Sequence, residues 1–247
     1  MWDLSLIIPC YKAAPILERS LSPLQVYLKS RGLRAQILLV DDGSDDAGAT
    51  AKIAAQSGCV YLANPINQGK GAAVKRGMLA AEGAVCLFTD ADIPFGFSSI
   101  EQFYQTLRHG DCDMVIGDRS LKDSAYSSRL SYQRALASYV FRMVVGQAIT
   151  AQFPDTQCGL KGFSLKAAQA LFSHVETEGF AFDVEVLYLA KYANLKVRRL
   201  PVQLQNQGDS SVRLFTHAPQ MLRELVRIRS RRLPTIQLDE EQKLIVG

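Results

Sequence analysis

The sequence predicts an α/β fold: one mostly parallel central sheet flanked by helices, in a single domain. Three observations predict it. Short apolar runs alternate with longer helical patterns through the first half of the chain, the signature of successive βαβ units. Clusters of polar residues follow four separate predicted strands, at the carboxyl ends where ligands of such sheets bind. With 247 residues and 48% apolar composition, the chain also has enough material for a large core.

The elements follow in order. Leu4 to Ile8 reads as a strand and Ile16 to Ser30 has helical spacing. A second buried strand, Gln36 to Val40, leads into an Ala-rich helix from Gly48 to Gln56, and Val60 to Leu62 is a short third strand. Ala72 to Ala81 is a helix, Val85 to Phe88 the fourth strand, Ile100 to Leu107 a helix and Met114 to Ile116 the fifth strand. Beyond residue 120 the pattern loosens. Asp123 to Arg129 is polar and Ser-rich, an expected mobile loop, and a long helix is expected from Leu130 to Thr150. Lys166 to Phe172 is helical, Phe182-Asp183-Val184-Glu185 marks a helix start, and Val197 to Leu204 is a strand broken by Pro201. Residues 1–232 are read as the domain, closing on a basic amphipathic helix over 217–232, with 233–247 as a tail.

Composition narrows the function. A formal net charge of +4 suits anionic ligands or an anionic membrane surface, but it is modest and no recognised nucleic-acid module accompanies it. The five cysteines are scattered without a C-x-x-C pair, so free buried thiols in a reducing cytoplasm are expected. No leader peptide or bilayer-spanning window is expected, which leaves a cytoplasmic or peripheral protein. In the 217–232 helix, Met221, Leu222, Leu225 and Ile228 share one face beside Arg223, Arg227, Arg229, Arg231 and Arg232. That face suits an anionic membrane or packing on its own domain, with membrane contact slightly favoured.

The chemistry centres on Thr89-Asp90-Ala91-Asp92, directly after the fourth strand. Side chains two apart on a strand point the same way, so Asp90 and Asp92 are expected to converge on one hard cation. Mg²⁺ takes only one or two protein carboxylates and completes its shell with water and phosphate. Asp41-Asp42-Gly43-Ser44 closes the second strand, either as a turn and cap or as a carboxylate for a base or ribose. Gly69-Lys70-Gly71 opens a helix whose N-terminus favours phosphate, but it matches neither nucleotide-loop pattern. Arg119, Arg129 and Arg134 bracket the polar loop, as solvated charges or as a grip on a second anion. Asp183 and Glu185 are first-turn helix acids, or acids held in a cleft to touch sugar hydroxyls or act as a base. His109, His174 and His217 fall in no ligand spacing.

Ile7-Ile8-Pro9-Cys10-Tyr11, Val40-Asp41-Asp42-Gly43-Ser44, Asn67-Gln68-Gly69-Lys70-Gly71 and Asp90-Ala91-Asp92 resemble, in that order, the sequence blocks of family 2 glycosyltransferases with a GT-A fold. Asp155-Thr156-Gln157-Cys158-Gly159 and Phe182-Asp183-Val184-Glu185 resemble its polyprenyl-phosphate branch, closest to the dolichyl-phosphate β-glucosyltransferases and next to the dolichyl-phosphate mannose synthases. The resemblance implies inverting transfer of a hexose from a nucleotide diphosphate sugar, with UDP-glucose favoured, to a polyprenyl phosphate. It implies that Pro9, Tyr11 and Asp42 hold base and ribose, with Lys70 also on the donor, and that Asp90 and Asp92 carry Mg²⁺ or Mn²⁺ on the diphosphate. Arg119 and Arg134 would grip the acceptor phosphate, Asp183 and Glu185 would lie by the sugar or acceptor, and Ser210 and Ser211 would sit on a mobile segment near the donor. The chain departs from the family's P-x-Y-N-E at Lys12-Ala13, and from many relatives in showing no transmembrane segment. A GDP-mannose donor, a soluble sugar acceptor and a non-catalytic nucleotide-sugar binding module are the alternatives.

Overall fold

The computed structural model describes residues 1–126, 153–204 and 223–233, together with 235, 236 and 238. The first half runs β1 (Leu4–Cys10), α1 (Ala14–Ser30), β2 (Ala35–Asp41), α2 (Ala49–Gln56), β3 (Val60–Ala63), α3 (Lys70–Leu79), β4 (Val85–Phe88), α4 (Gly96–Arg108) and β5 (Met114–Gly117). The second half adds β6 (Ala125–Tyr126), β7 (Lys161–Ser164), α5 (Leu165–Phe172), α6 (Phe182–Tyr192), β8 (Val197–Leu200) and β9 (Gln203–Leu204). Residues 223–230 form a further helix. Every strand and helix expected in the first half is present, with ends shifted by a few residues.

Seven strands form one sheet in the order β3-β2-β1-β4-β7-β5-β8. All its pairings are parallel except those of β7, which runs antiparallel to both β4 and β5. Strand β7 was not expected from the sequence. Its residues Lys161-Gly162-Phe163-Ser164 carry a charge and a glycine where an apolar run announces a buried strand, so periodicity has nothing to detect. A small second sheet pairs β6 with β9, so part of the expected loop Asp123–Arg129 is a strand.

Alternation along the strands builds two cores. Leu4, Leu6 and Ile8 of β1, Ile37 and Leu39 of β2, and Val85 and Leu87 of β4 enter one face, under Leu17, Leu21, Leu24 and Leu28 of α1 and Ile100, Phe103 and Leu107 of α4. Ile7, Leu38, Val40, Cys86 and Phe88 enter the other, under Ala73, Val74 and Met78 of α3 and the buried faces of α5 and α6. The fourfold repeat of leucine in α1 and the two-residue repeat of the strands are the periods that specify these layers.

The C-terminal helix corrects an expectation. Leu225 and Ile228 are buried against Ala181 and Val184, with Tyr188 alongside, so the described part of the apolar stripe packs on α6 and is not offered to a membrane. Its partners Met221 and Leu222, and the rest of 205–222, lie outside the described residues. Among the described residues, no helix is long and apolar enough to cross a membrane. All five cysteines are free, and four of them are buried.

Candidate functional site

The carboxyl ends of β1, β2, β4 and β5 lie along one edge of the sheet. Because β7 runs the other way, its first residue joins them: Lys161 pairs with Phe88 of β4 and with Ile116 of β5. A lysine that looks misplaced in an apolar stretch is thereby delivered to the end of the sheet where the acids collect.

Asp90 and Asp92 lie here, but not on a strand. β4 ends at Phe88, and residues 90–93 turn back with the Ile93 N–H donating to the Asp90 carbonyl at 3.0 Å and Ile93 at φ +48°. The alternation expected to align the two carboxylates therefore does not apply; the turn sets their positions. The Lys70 ammonium, from the first residue of α3, pairs with Asp90 Oδ1. A Cβ on Gly159 would overlap Asp90 Oδ2, so the absence of a side chain there keeps that oxygen in place. Burial, and then the charge of Asp90, raises the pKa of the half-buried Asp92. Burial works against the charge on Lys70, but Asp90 and Asp183 outweigh it and hold the ammonium above its usual pKa.

Asp183, at the start of α6, lies behind this pair. Its Oδ1 accepts from Lys161 Nζ at 2.5 Å, and Lys161 also donates to the Cys158 carbonyl at 2.8 Å. Lys161 is fully buried, with its ammonium 5.5 Å from the centre of the Phe88 ring. Burial raises the Asp183 pKa against the pull of Lys161 and Lys70. Lys161 was missed in the sequence, although it stands two residues beyond the Asp155–Gly159 motif. The signal for it was a lone cation among apolar residues, which is costly unless paired.

Other expected site residues prove to be held internally. The Asp42 carboxylate accepts from Asn64 Nδ2 at 2.8 Å and from the Gln68 and Gly69 amides at 3.0 and 2.7 Å. Asp41 accepts from the Ser44 amide at 3.0 Å and the Tyr61 hydroxyl at 2.8 Å. The turn-stabilising role is thus the one these bonds display, and through it Asp42 fixes the loop that delivers Lys70. That delivery also needs Gly69, at φ +113°, where a Cβ would come within 2.5 Å of the Glu178 carbonyl. Pro9 is the penultimate residue of β1 and Tyr11 directly follows the strand; Tyr11 is exposed, with the Lys12 ammonium 5.4 Å from its ring centre. The Lys12 amide donates to Ser44 Oγ at 2.8 Å, tying the β1 and β2 loops together.

Arg119 reaches the same edge, but its fork is engaged. Nε and Nη2 donate to the two oxygens of Asp155 at 2.7 Å each, and the backbone amide adds a third bond at 2.8 Å. Burial opposes ionisation of Asp155, but these bonds prevail and lower its pKa. Glu185 is a correction. Helix positions two apart do not face each other, so Asp183 and Glu185 diverge. Glu185 is buried and accepts from the Glu176 amide at 3.1 Å, the Thr177 amide at 2.7 Å and Arg231 Nη1 at 2.8 Å. It locks the 176–177 turn to the C-terminal helix. Arg129, Arg134, Ser210, Ser211 and the expected helix Leu130 to Thr150 lie outside the described residues.

Arg231→Ala removes the side-chain cation on Glu185 and is expected to cost about 2 kcal/mol, as for a hydrogen bond to a charged group. Tm should fall by roughly 4–8 °C in a thermal melt, while kcat per folded molecule is retained. A loss of kcat at unchanged Tm would return Glu185 to the reaction.

The site offers a divalent cation two carboxylates, a cation already seated on one of them, and a glycine against that carboxylate's other oxygen. Among the described residues there is no cluster of three or more acidic, His or Cys ligands. Two carboxylates with water and diphosphate oxygens are the donor set such a cation takes, so the residues fit it.

Residues 5–172 match the family model described as glycosyl transferase family 2. A dolichyl-phosphate beta-glucosyltransferase of Dictyostelium discoideum is 34% identical over 93% of this chain and 75% of its own length. The human protein of that name is 29% identical over 94% of this chain and 78% of its own. Among solved structures, the Mycobacterium tuberculosis glucosyl-3-phosphoglycerate synthase has a TM-score of 0.69 at 16% identity, covering 94% of this chain and 82% of that one. The same enzyme in complex with Mn²⁺ and UDP-glucose has a TM-score of 0.67 at 17% identity, covering 94% and 80%. At such identities the likeness establishes the fold, the GT-A architecture expected from the sequence.

Proposed function

Because the chain belongs to glycosyl transferase family 2, we propose that it transfers glucose, with inversion, from UDP-glucose to a polyprenyl phosphate of the dolichyl type. The names of its relatives support the donor sugar and the acceptor. The observation that carries a metal-assisted mechanism is the cation-loaded acidic turn, Lys70 on Asp90 with Asp92 close enough to feel its charge.

In this reading Asp90 and Asp92 hold Mg²⁺ or Mn²⁺, which when bound supplies charge neutralisation for the departing nucleoside diphosphate. Pro9 and Tyr11 border the nucleoside, and Asp42 shapes that border through the 64–69 loop. Lys70 adds a second positive charge beside the diphosphate. Asp183, steadied by Lys161, fixes sugar hydroxyls or the acceptor. A phosphate acceptor is already anionic near neutral pH, so orientation matters more than proton removal. Arg134 is assigned to the acceptor phosphate, and Arg119, tied to Asp155, sets the mouth through which it enters. Ser210 and Ser211 belong to a segment over the donor. The catalytic unit is read as 1–232, since residues 223–230 pack on α6. Contact with a membrane through the acceptor lipid would make the protein peripheral on a cytoplasmic face.

The test is label transfer from radiolabelled UDP-glucose to polyprenyl phosphate, with Mn²⁺ or EDTA, scored in the organic phase; GDP-mannose runs in parallel. Metal-dependent extractable label from UDP-glucose is expected. Label only from GDP-mannose would move the donor assignment, and transfer only to soluble sugars would move the acceptor. Asp92→Ala should abolish the EDTA-sensitive part of donor binding in a titration with UDP-glucose. Unchanged affinity with and without EDTA would refute the metal assignment.

A further inference from the structure

The acidic turn is balanced in a particular way. Three carboxylates, Asp90, Asp92 and Asp183, face two ammonium groups, Lys70 and Lys161. Lys161 is fixed by burial and by its bond to Asp183. Lys70 is different: its side chain is 19% exposed, and the Asp90 carboxylate it holds is 38% exposed. Its ion pair is the more exposed of the two.

We propose that Lys70 is the resident counter-cation of this turn, and that a divalent cation displaces it from Asp90 only together with a diphosphate that takes the ammonium over. The inference rests on the metal and donor assignment above and adds an order of binding to it. An ammonium and a divalent cation on one carboxylate repel each other strongly at a few ångströms in a partly buried site. The acids whose charge Lys70 meets are Asp90, Asp183 and Asp92; Asp183 is already bonded to Lys161, and Asp92 is the other carboxylate assigned to the divalent cation. The displaced ammonium therefore has no equivalent seat among these groups. A divalent cation entering alone turns a net negative cluster positive. A sugar nucleotide diphosphate diester brings two negative charges of its own, so the metal and donor together leave the balance unchanged and give Lys70 new oxygens to hold.

The geometry supports the exchange. Lys70 is the first residue of α3, whose opening turn is pinned by the Ala72 amide to the Glu178 carbonyl at 3.2 Å and by Asp42 holding the Gly69 amide. The backbone is fixed, so an exchange of partners falls to the Lys70 side chain alone. The absence of a side chain on Gly159 lets Asp90 Oδ2 lie against its backbone, which holds the carboxylate in place during the exchange.

Mn²⁺ binding followed by electron paramagnetic resonance tests this without turnover. The wild-type protein should bind Mn²⁺ weakly alone and more tightly with UDP. Lys70→Met should bind Mn²⁺ alone more tightly than wild type by roughly tenfold, with the enhancement by UDP reduced, as reciprocal coupling requires. Lys70→Gln, with the same loss of charge and a polar end, should behave alike and guards against misfolding of one variant. Mn²⁺ affinity in both variants equal to or weaker than wild type overturns the counter-cation proposal and leaves the metal site standing. Absence of Mn²⁺ binding to wild type in the presence of UDP, or its survival in Asp90→Asn, overturns the metal assignment itself.

Discussion

Lys161→Met is expected to destabilise the protein by about 3–5 kcal/mol, the usual cost of leaving one member of a buried ion pair without its partner. The substitution nearly conserves volume but leaves Asp183 buried with its Oδ1 unbonded. It also removes the donor to the Cys158 carbonyl and the cation over Phe88. Denaturant unfolding should show the loss directly, and Tm should drop by roughly 6–20 °C. Lys161→Met with Asp183→Leu should recover most of it, because a well-packed apolar pair is often no worse than the ions it replaces. A single-variant loss under about 1 kcal/mol would mean that the pair is solvated rather than buried.

The same variant has a signed pH dependence. The folded pKa of Asp183 already lies above its usual value because burial outweighs Lys161 and Lys70. A group raised on folding binds its proton more readily in the folded state, so its contribution is fully present at low pH. That contribution is lost as pH rises through the folded value. Removing Lys161 raises the folded pKa further, so the deficit should be largest near neutral pH and smaller at about pH 5.

Elements set by a local period were legible in the sequence. Leu17, Leu21, Leu24 and Leu28 announce α1, and the near-continuous burial of β1 and β2 follows from two apolar faces under helices. Residues brought together by topology were not. Lys161 means little until an antiparallel strand carries it to Phe88 and Ile116, and that pairing leaves no local trace. Asp183 and Glu185 look equivalent as two acids near a helix start, yet a two-residue step on a helix sends one to Lys161 and the other to Arg231. The stripe of the C-terminal helix was visible, but a stripe specifies an apolar neighbour without saying which, and here the described part found α6. Asp42 was legible as important and ambiguous in role, because a carboxylate that caps a turn and one that awaits a ligand have the same spelling.

Gly159→Ala is expected to separate activity from stability more cleanly than any change to an acid. The added methyl would overlap Asp90 Oδ2. The overlapped atom ends a short side chain that is able to rotate, and Gly159 is not among the glycines with positive φ, so alanine suits the backbone. Stability should therefore change by less than about 1 kcal/mol, within the range of substitutions that create no cavity or unpaired charge. Function should not be spared. Rotation of Asp90 breaks its alignment with Lys70 and with any cation on the turn, and misplacement by about 1 Å at a reacting centre costs on the order of 100-fold in kcat/KM. Because both substitutions act through one carboxylate, Gly159→Ala combined with Asp90→Ala should be no slower than Asp90→Ala alone. Additive losses would mean that Gly159 serves a separate purpose, such as room for the substrate. Full activity in Gly159→Ala would show that the position of Asp90 Oδ2 does not matter to the reaction, and would remove Asp90 from its centre.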